Sequence, residues 1–166
     1  MKKKTISVLT VLAISLSSFS QKIIPIEYNG KKYEVLDMSS KGKVSWGGYE
    51  EIALDAAKSN DNGATNTRAI ITAVGKNEHY DGKPYAAKLC GEAVAGGKDD
   101  WYLPAKNETD AIYAFKDKFT VEERGTIWSS TEASGTQAVT KYWGTGAFYN
   151  VQKVDEYQYV CIRKVE

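Results

Sequence analysis

The sequence predicts an α+β domain, because helical periodicity occupies its middle and strand-like patterns occupy both ends. Residues 85–95 place apolar side chains on one helix face, and residues 106–118 carry a second apolar stripe. Residues 31–38 have the pattern of a strand, and the chain after Thr126 is rich in β-branched and aromatic residues. We therefore expect two principal helices packed with small antiparallel sheets.

The N-terminus has the pattern of an export signal. Residues 2–4 are lysines, and an apolar stretch of about eleven residues follows at 6–16. That stretch is too short to span a bilayer, which needs about 20 residues. Ser18 and Ser20 supply the small side chains of a cleavage site, so residues 1–20 are interpreted as a signal peptide. An N-terminal anchor or a core helix is the alternative interpretation.

The remaining chain, residues 21–166, has the size of a single domain. Without the three leader lysines, 19 of the 22 basic residues remain against 21 acidic residues, a net charge of about −2. Apart from Lys31-Lys32 no basic run is left, so nucleic acid is not an expected partner. No second stretch is apolar and long enough for a membrane span in the mature chain.

Turn and periodicity patterns divide the rest of the chain. Asn29-Gly30 is typical of a hairpin turn, and a further strand is expected at 43–46. Weaker helical patterns cover residues 49–58 and 65–74. Strands in the C-terminal part are expected at 127–128, 138–143, 147–151 and 157–165.

One loop superficially matches a calcium-binding motif. Residues 60–63 read Asn-Asp-Asn-Gly, as in an EF-hand loop. Aligning Gly63 with the invariant glycine of that loop puts Lys58 and Ala69 where carboxylates are required. We therefore expect neither a metal nor another cofactor.

The sequence contains no recognisable catalytic constellation. Its single histidine, His79, lies in a polar loop, and Ser129-Ser130 have no paired base in the sequence. Adjacent acidic residues along a chain usually point apart, which favours a solvated surface over an acid/base pair. These pairs are Glu50-Glu51, Asp99-Asp100 and Glu122-Glu123. The expected class is a protein without enzymatic activity.

Four segments together resemble one bacterial family. Cys90 in its helical stretch is followed by D-W-Y-L-P at 100–104, T-I-W-S-S-T-E at 126–132 and Y-V-C-I-R at 159–163. In this order they resemble the C-terminal domain family of secreted bacterial collagen-like adhesins, the Lcl-type domain, over residues 33–165. The resemblance implies a C-type-lectin-like fold.

Two structural expectations accompany the resemblance. A strand near 33–38 should pair with the last strand near 160–165 and bring the mature termini together. Many family members have Ser or Thr after the proline, where it forms a capping box with the later glutamate. Here that position is Ala105, so Glu108 should lack its reciprocal partner, and about 1 kcal/mol of capping should be absent.

The two cysteines are expected to form one disulfide. Cys90 and Cys161 are the only cysteines in the chain, and an exported protein meets an oxidising compartment. Two buried free thiols are the alternative. The related formylglycine-generating enzymes share the broader fold and use cysteine chemistry, and a Cys90–Cys161 bridge would remove that chemistry here.

The hairpin at residues 141–159 is the predicted ligand-binding region. Its aromatic and amide side chains have the chemistry of a recognition surface, although ordinary core packing of strand aromatics is the alternative. Alternation favours Tyr142 over Trp143 as the outward residue. Trp101 and Trp128 are expected to serve packing. The predicted site residues are Tyr142, Tyr149, Asn150, Asp155 and Tyr157.

These expectations favour a binding module that is secreted, periplasmic or attached to the cell surface. The partner would be a glycan or a surface protein. Relatives among the adhesins bind sulfated glycans, but a net charge near −2 argues against transferring a polyanionic ligand to this chain. A structural or assembly subunit of the cell envelope is the competing interpretation.

Overall fold

The computed structural model describes residues 22–48, 55–74 and 84–165. The predicted signal peptide, His79 and most of the helix expected at 49–58 lie outside these residues. Within the described ranges, no helix is both long and apolar enough to cross a membrane.

The described chain is an α+β structure, as predicted, with three helices and two three-stranded antiparallel sheets. Short 3₁₀ turns cover Ser39–Lys41 and Lys116–Lys118. In chain order the elements are β1 (Ile23–Tyr28), β2 (Lys31–Leu36), α1 (Gly63–Val74), α2 (Ala86–Gly91), α3 (Lys106–Tyr113), β3 (Thr126–Glu132), β4 (Gln137–Tyr142), β5 (Phe148–Gln152) and β6 (Cys161–Val165).

The first sheet has the order β1-β2-β6 and joins the two ends of the domain. Asn29 and Gly30 both have positive φ, 51° and 72°, as a two-residue hairpin turn requires. β2 then pairs antiparallel with β6, placing Tyr33 opposite Lys164. The predicted pairing of an early strand with the last one is therefore confirmed. The apolar lead before Asn29 is itself a strand, because the hairpin turn folds it onto β2.

The second sheet has the order β3-β4-β5, and a register shift interrupts the β3–β4 pairing between Trp128 and Glu132. β3 is longer than the strand expected at 127–128. β4 begins and ends one residue earlier than the strand expected at 138–143. An isolated bridge between Tyr102 and Ile162 connects the D-W-Y-L-P segment to β6. A second isolated bridge, between Ile127 on β3 and Gln158, connects the second sheet to the segment just before β6.

Two apolar clusters fill the interior. The first surrounds the fully buried indoles of Trp46 and Trp128, and Trp101 is 3% exposed at its margin. The second lies between the first sheet and α3 and contains Ile112 and Trp143. The tryptophans of the family-like motifs are therefore packing residues, as expected from the area that each removes from water.

The predicted disulfide is present. Cys90 on α2 and Cys161 at the start of β6 are bonded, with 5.3 Å between their Cα atoms, and both are buried. The bond joins residues 71 apart in sequence and holds α2 against the first sheet.

Three predicted elements differ from the structure. The helix expected at 85–95 ends at Gly91, because a tight turn with positive φ at Gly96 and Gly97 pairs Ala95 with Lys98. The helix expected at 106–118 ends at Tyr113 and continues only as the 3₁₀ turn. The strand expected at 43–46 is a single bridge, in which Val44 exchanges two backbone hydrogen bonds with Tyr157.

The expected loss of capping at α3 is compensated by other parts of the chain. Glu108 still accepts the Ala105 N–H, which is one half of a capping box. The Lys106 N–H donates to Thr131 Oγ1 at 2.9 Å, and the Asn107 N–H donates to the Asn60 carbonyl at 2.8 Å. Two orphan donors of the first turn are therefore satisfied by a neighbouring loop and a neighbouring strand.

A buried ion pair closes the end of the second sheet. Lys153 Nζ contacts Glu132 Oε1 and also donates to the Gly135 carbonyl at 2.8 Å. Both charged side chains are fully buried, and the ammonium lies 4.7 Å from the ring centre of Trp46. Burial lowers the pKa of Lys153, although Glu132 partly opposes that shift. Glu132 Oε2 has no hydrogen-bond partner in the described structure.

We expect Lys153→Met to destabilise the protein by about 3–5 kcal/mol, because it leaves Glu132 buried without its partner. The double variant Lys153→Met/Glu132→Leu should recover most of that loss. Urea unfolding measures both effects. The exposed pair Lys43–Glu122 supplies the control, since Lys43→Met should cost less than about 1 kcal/mol. A double variant no more stable than the single one would contradict this assignment.

Replacing both cysteines with alanine should lower the free energy of unfolding by roughly 4 kcal/mol, the chain-entropy value for a loop of this length. Urea unfolding of Cys90→Ala/Cys161→Ala against the wild type measures the loss. Peptide mapping without reductant should recover a linked Cys90–Cys161 peptide. Quantitative alkylation of two thiols in the native protein would contradict the bond.

Candidate functional site

The predicted site residues do not share one surface. Tyr142 on β4 and Tyr149 on β5 do contact each other, with ring centres 6.3 Å apart. Tyr149 is 53% exposed and Tyr142 is half-buried, whereas Trp143 is buried. These two tyrosines therefore form a partly exposed aromatic pair on one face of the second sheet.

Asn150 points away from that pair. Tyr149 lies opposite Thr140 and Asn150 lies opposite Val139, and consecutive strand residues point to opposite faces of a sheet. Asn150 and Tyr149 therefore cannot both contact one ligand on one face. The same strand alternation that places Tyr142 and Trp143 on opposite faces also places Tyr149 and Asn150 on opposite faces.

Of the last two predicted residues, Tyr157 lies at the edge of the core and Asp155 lies at the surface. Tyr157 is half-buried and packs edge-on against Trp128, with ring centres 5.1 Å apart. Burial raises the pKa of Tyr157, and the nearby negative charge of Asp155 adds to the shift. Asp155 itself is exposed in the turn after β5. Asp155 and Tyr157 are close because the turn after β5 leads directly into the bridge between Tyr157 and Val44.

A polar cavity of about 300 Å³ lies between the β1–β2 hairpin and α3. Its walls combine phenol, amide, carboxylate and ammonium groups, and their polar surface exceeds their apolar surface. The sequence reasoning missed it. The lining residues are Tyr28, Asn29, Lys31, Tyr33, Asp61, Asn107, Glu108, Asp110 and Ala111.

Glu108 forms the floor of this cavity and is only 3% exposed. Its Oε2 accepts the backbone N–H groups of Gly63 and Ala105 at 3.0 and 2.9 Å, and its Oε1 accepts the Tyr102 hydroxyl at 3.0 Å. Burial raises the pKa of Glu108, although these donors and the Lys164 ammonium favour its charged form. The carboxyl group is therefore fixed in place by three donors, one at the start of α1 and two in the segment just before α3.

The cavity walls are organised by a second set of polar contacts. Asp61 Oδ1 accepts the side-chain N–H of Asn107 at 2.8 Å, which joins the loop before α1 to α3. Burial raises the pKa of Tyr33, and the charges of Glu108 and Asp61 raise it further. Tyr33 therefore remains a protonated phenol and can donate a hydrogen bond into the cavity.

Asp110 forms the side of the cavity nearest to the second sheet. It pairs with the ammonium of Lys141, whose side chain is 2% exposed. That ammonium also lies 3.8 Å from the ring centre of Phe148 and 5.1 Å from that of Tyr113. Asp110 is thus held by a cation enclosed between aromatic rings.

This arrangement can accept and donate several hydrogen bonds but does not favour an anion. Three carboxylates and two side-chain amides offer acceptors, the tyrosines offer donors, and Lys31 is the cation among the lining residues. Such groups fit a neutral, hydroxyl-rich ligand, whereas a sulfated or phosphorylated ligand would meet like charge.

The loop that superficially matched a calcium motif has a capping role instead. Asn62 Oδ1 accepts the Thr65 N–H at 3.1 Å, so Asn62 is the N-cap of α1. In the part of the chain that the structure describes, no group of three or more His, Cys, Asp or Glu side chains could hold a metal ion.

The serines of the W-S-S-T-E string are structural. Ser129 Oγ donates to the Val139 carbonyl at 2.8 Å, and Ser130 Oγ accepts from the Asn66 amide at 3.2 Å. Both serines are fully buried. Neither hydroxyl is available to a substrate in this structure.

Comparison with known proteins adds no assignment: no protein-family model matches the chain, and no curated protein matches it significantly. The interpretation of the cavity rests on its own geometry.

We expect Glu108→Ala to destabilise the protein by at least about 2 kcal/mol, since it leaves the buried N–H groups of Gly63 and Ala105 without their acceptor. Glu108→Gln keeps an acceptor oxygen and should retain the fold. Urea unfolding at neutral pH distinguishes the two variants.

The folding stability of Glu108→Gln should depend on pH differently from that of the wild type, in a direction set by the pKa of Glu108. The pKa of Glu108 is raised from its usual 4.5 in the folded state, so the folded protein holds this proton more strongly than the unfolded chain. The contribution of Glu108 is then fully present below its usual pKa and is lost as pH rises through the raised value. The stability of Glu108→Gln relative to wild type should therefore increase from acidic to neutral pH. A difference that stays constant would contradict the raised pKa.

Proposed function

We propose that this protein is an exported bacterial binding module with a C-type-lectin-like fold and no catalytic activity. The observation that carries the proposal is the polar cavity of about 300 Å³ between the β1–β2 hairpin and α3. Concave sites with a few fixed polar groups are the usual form of small-ligand sites, whereas flat apolar patches favour protein partners. The cavity therefore supports a soluble or surface-attached ligand.

The ligand class proposed for this cavity is a neutral glycan. Hydroxyl groups of a sugar can both donate to Asp61 and Asp110 and accept from the Tyr33 phenol. The aromatic ring of Tyr28 at the rim offers an apolar face to the C–H groups of a sugar. The excess of carboxylates argues against the sulfated ligands of the resembling adhesins.

Export and the absence of catalysis have their own support. The leader-like N-terminus and the Cys90–Cys161 bond both suit an oxidising compartment outside the cytoplasm. Since both cysteines are in the bond, neither can act as the thiolate that formylglycine-generating chemistry would require. The proposed location is secreted, periplasmic or on the cell surface.

An assembly subunit of the cell envelope is the second candidate function. It is favoured by one specific observation: β5 has no charged residue, contains the exposed Tyr149, and has no strand paired with its outer edge among the described residues. The two functions are compatible, because none of the residues that line the cavity belongs to β5.

Binding to a glycan array should identify neutral glycans, and Tyr28→Ala and Asp61→Ala should each weaken that binding roughly tenfold. Each change removes about one ligand hydrogen bond or ring contact, worth about 1 kcal/mol or slightly more. Titration calorimetry with the best glycan measures the loss. The exposed Asp99→Ala is the matched control and should bind as the wild type does.

Two results would contradict the proposal. Binding that survives both cavity variants but is lost in Tyr149→Ala would move the site to the partly exposed Tyr142–Tyr149 pair. Robust turnover in a hydrolase screen that disappears in His79→Ala would make the protein an enzyme.

A further inference from the structure

The second sheet ends in an open edge at β5. One side of β5 pairs with β4, and among the residues that the structure describes no strand or bridge pairs with its other side. An unpaired edge presents backbone donors and acceptors that can pair with another chain.

The hydrogen bonds at the two ends of the β4–β5 pair identify the outward groups. Tyr142 N–H donates to the Ala147 carbonyl, and Lys153 N–H donates to the Thr136 carbonyl, both at 2.9 Å. In an antiparallel pair, residues that are hydrogen-bonded to the partner strand alternate with residues that are not. Between these two ends, the residues of β5 that are hydrogen-bonded to β4 are therefore Tyr149 and Val151. The backbone groups that face the open edge are therefore those of Phe148, Asn150 and Gln152.

Within the described residues, only one of these outward backbone groups has a backbone partner. The Gln152 carbonyl accepts the Asp155 N–H in the following turn at 3.1 Å. For Phe148 and Asn150, no backbone partner is found within the described residues beyond the sheet itself. Asn150 and Tyr149 are exposed, so a second strand can approach the edge.

The edge of β5 lacks the features that prevent strand pairing. The edge strands β3 and β6 each carry an isolated bridge to another segment. The fourth edge strand, β1, has Pro25 at its centre and the charged Glu27 nearby, both exposed. Proline and charge are the usual protection of an edge strand. β5 reads Phe-Tyr-Asn-Val-Gln, with neither. β1 therefore has the features of a protected edge strand, whereas β5 has the features of an edge that pairs with another strand.

The sequence of β5 is complementary to itself. With a two-fold axis at Asn150, Phe148 faces Gln152 of the second copy, and Tyr149 faces Val151 of the second copy. Phe148, Asn150 and Gln152, whose backbone groups face outward, are then all hydrogen-bonded to the second copy. Tyr149 opposite Val151 is a favourable pair of an aromatic and a β-branched side chain. No like charges oppose each other, and the two Asn150 amides meet at the axis.

We propose that β5 is a homodimer interface, in which two copies pair antiparallel about a two-fold axis at Asn150 and form one continuous sheet. A second copy fits this edge because the register satisfies its own outward groups symmetrically, and two-fold dimers are the commonest oligomers. The partly exposed Tyr142–Tyr149 pair lies beside the interface and extends its apolar contact. Tyr149 and Asn150, which cannot share one ligand, then have a common role at one edge.

Analytical ultracentrifugation of the mature chain tests the proposal over a range of concentrations up to the highest that stays soluble. The wild type should show a monomer–dimer equilibrium. Asn150→Lys should be monomeric throughout, because two ammonium groups would meet at the axis. Glu27→Lys on the protected edge is the matched control and should dimerise as the wild type does. A monomeric wild type, or a dimer that persists in Asn150→Lys, would overturn the proposal.

The register is tested by single cysteines on the same strand. Only the axial residue faces its own copy, and bonded antiparallel pairs have Cα atoms about 5.5 Å apart, within disulfide range. Asn150→Cys should therefore form a disulfide-linked dimer under mild oxidation, whereas Gln152→Cys, which faces Phe148 of the second copy, should not. Equal cross-linking of both variants, or of neither, would overturn this register.

Discussion

The buried carboxylate of Glu108 is the contact on which both the fold and the cavity depend. It accepts hydrogen bonds from the start of α1 at Gly63, from the N-cap of α3 at Ala105 and from the Tyr102 hydroxyl beside the bridge to β6. A Cβ at Gly63 would lie 2.5 Å from the Leu103 carbonyl, so only glycine allows this close approach. Because the same carboxylate is the cavity floor, the shape of the cavity follows from the packing of two helix starts.

The family-like motifs are explained by similar contacts rather than by chemistry. In the W-S-S-T-E string, Ser129 holds the carbonyl of a neighbouring strand, Thr131 caps α3 through Lys106, and Glu132 pairs with the buried Lys153. A domain with short helices and two small sheets has few regular hydrogen bonds to define its loops. Buried polar side chains that each satisfy a specific backbone group supply that definition.

The sequence predicted what depends on local pattern and missed what depends on distant contacts. The Asn29-Gly30 hairpin and the pairing of the terminal strands follow from turn chemistry and the family resemblance, and both are present. The cap of α3 was missed because it comes from Thr131 on β3, 25 residues beyond the helix start. The cavity was missed because its walls are brought together from segments far apart in the chain. The polar runs at 60–62 and 107–110 were its only local sign.

The cavity and the β5 edge meet at one side chain. The Lys141 ammonium lies between Asp110, which lines the cavity, and the ring of Phe148, which belongs to β5. Its side chain is almost fully buried, so it cannot exchange either partner for water without a cost in free energy. The position of Phe148 is therefore tied to the charge on Asp110. A ligand that changed dimer formation through this contact would bind monomer and dimer with affinities that differ by the same factor, because linkage is reciprocal.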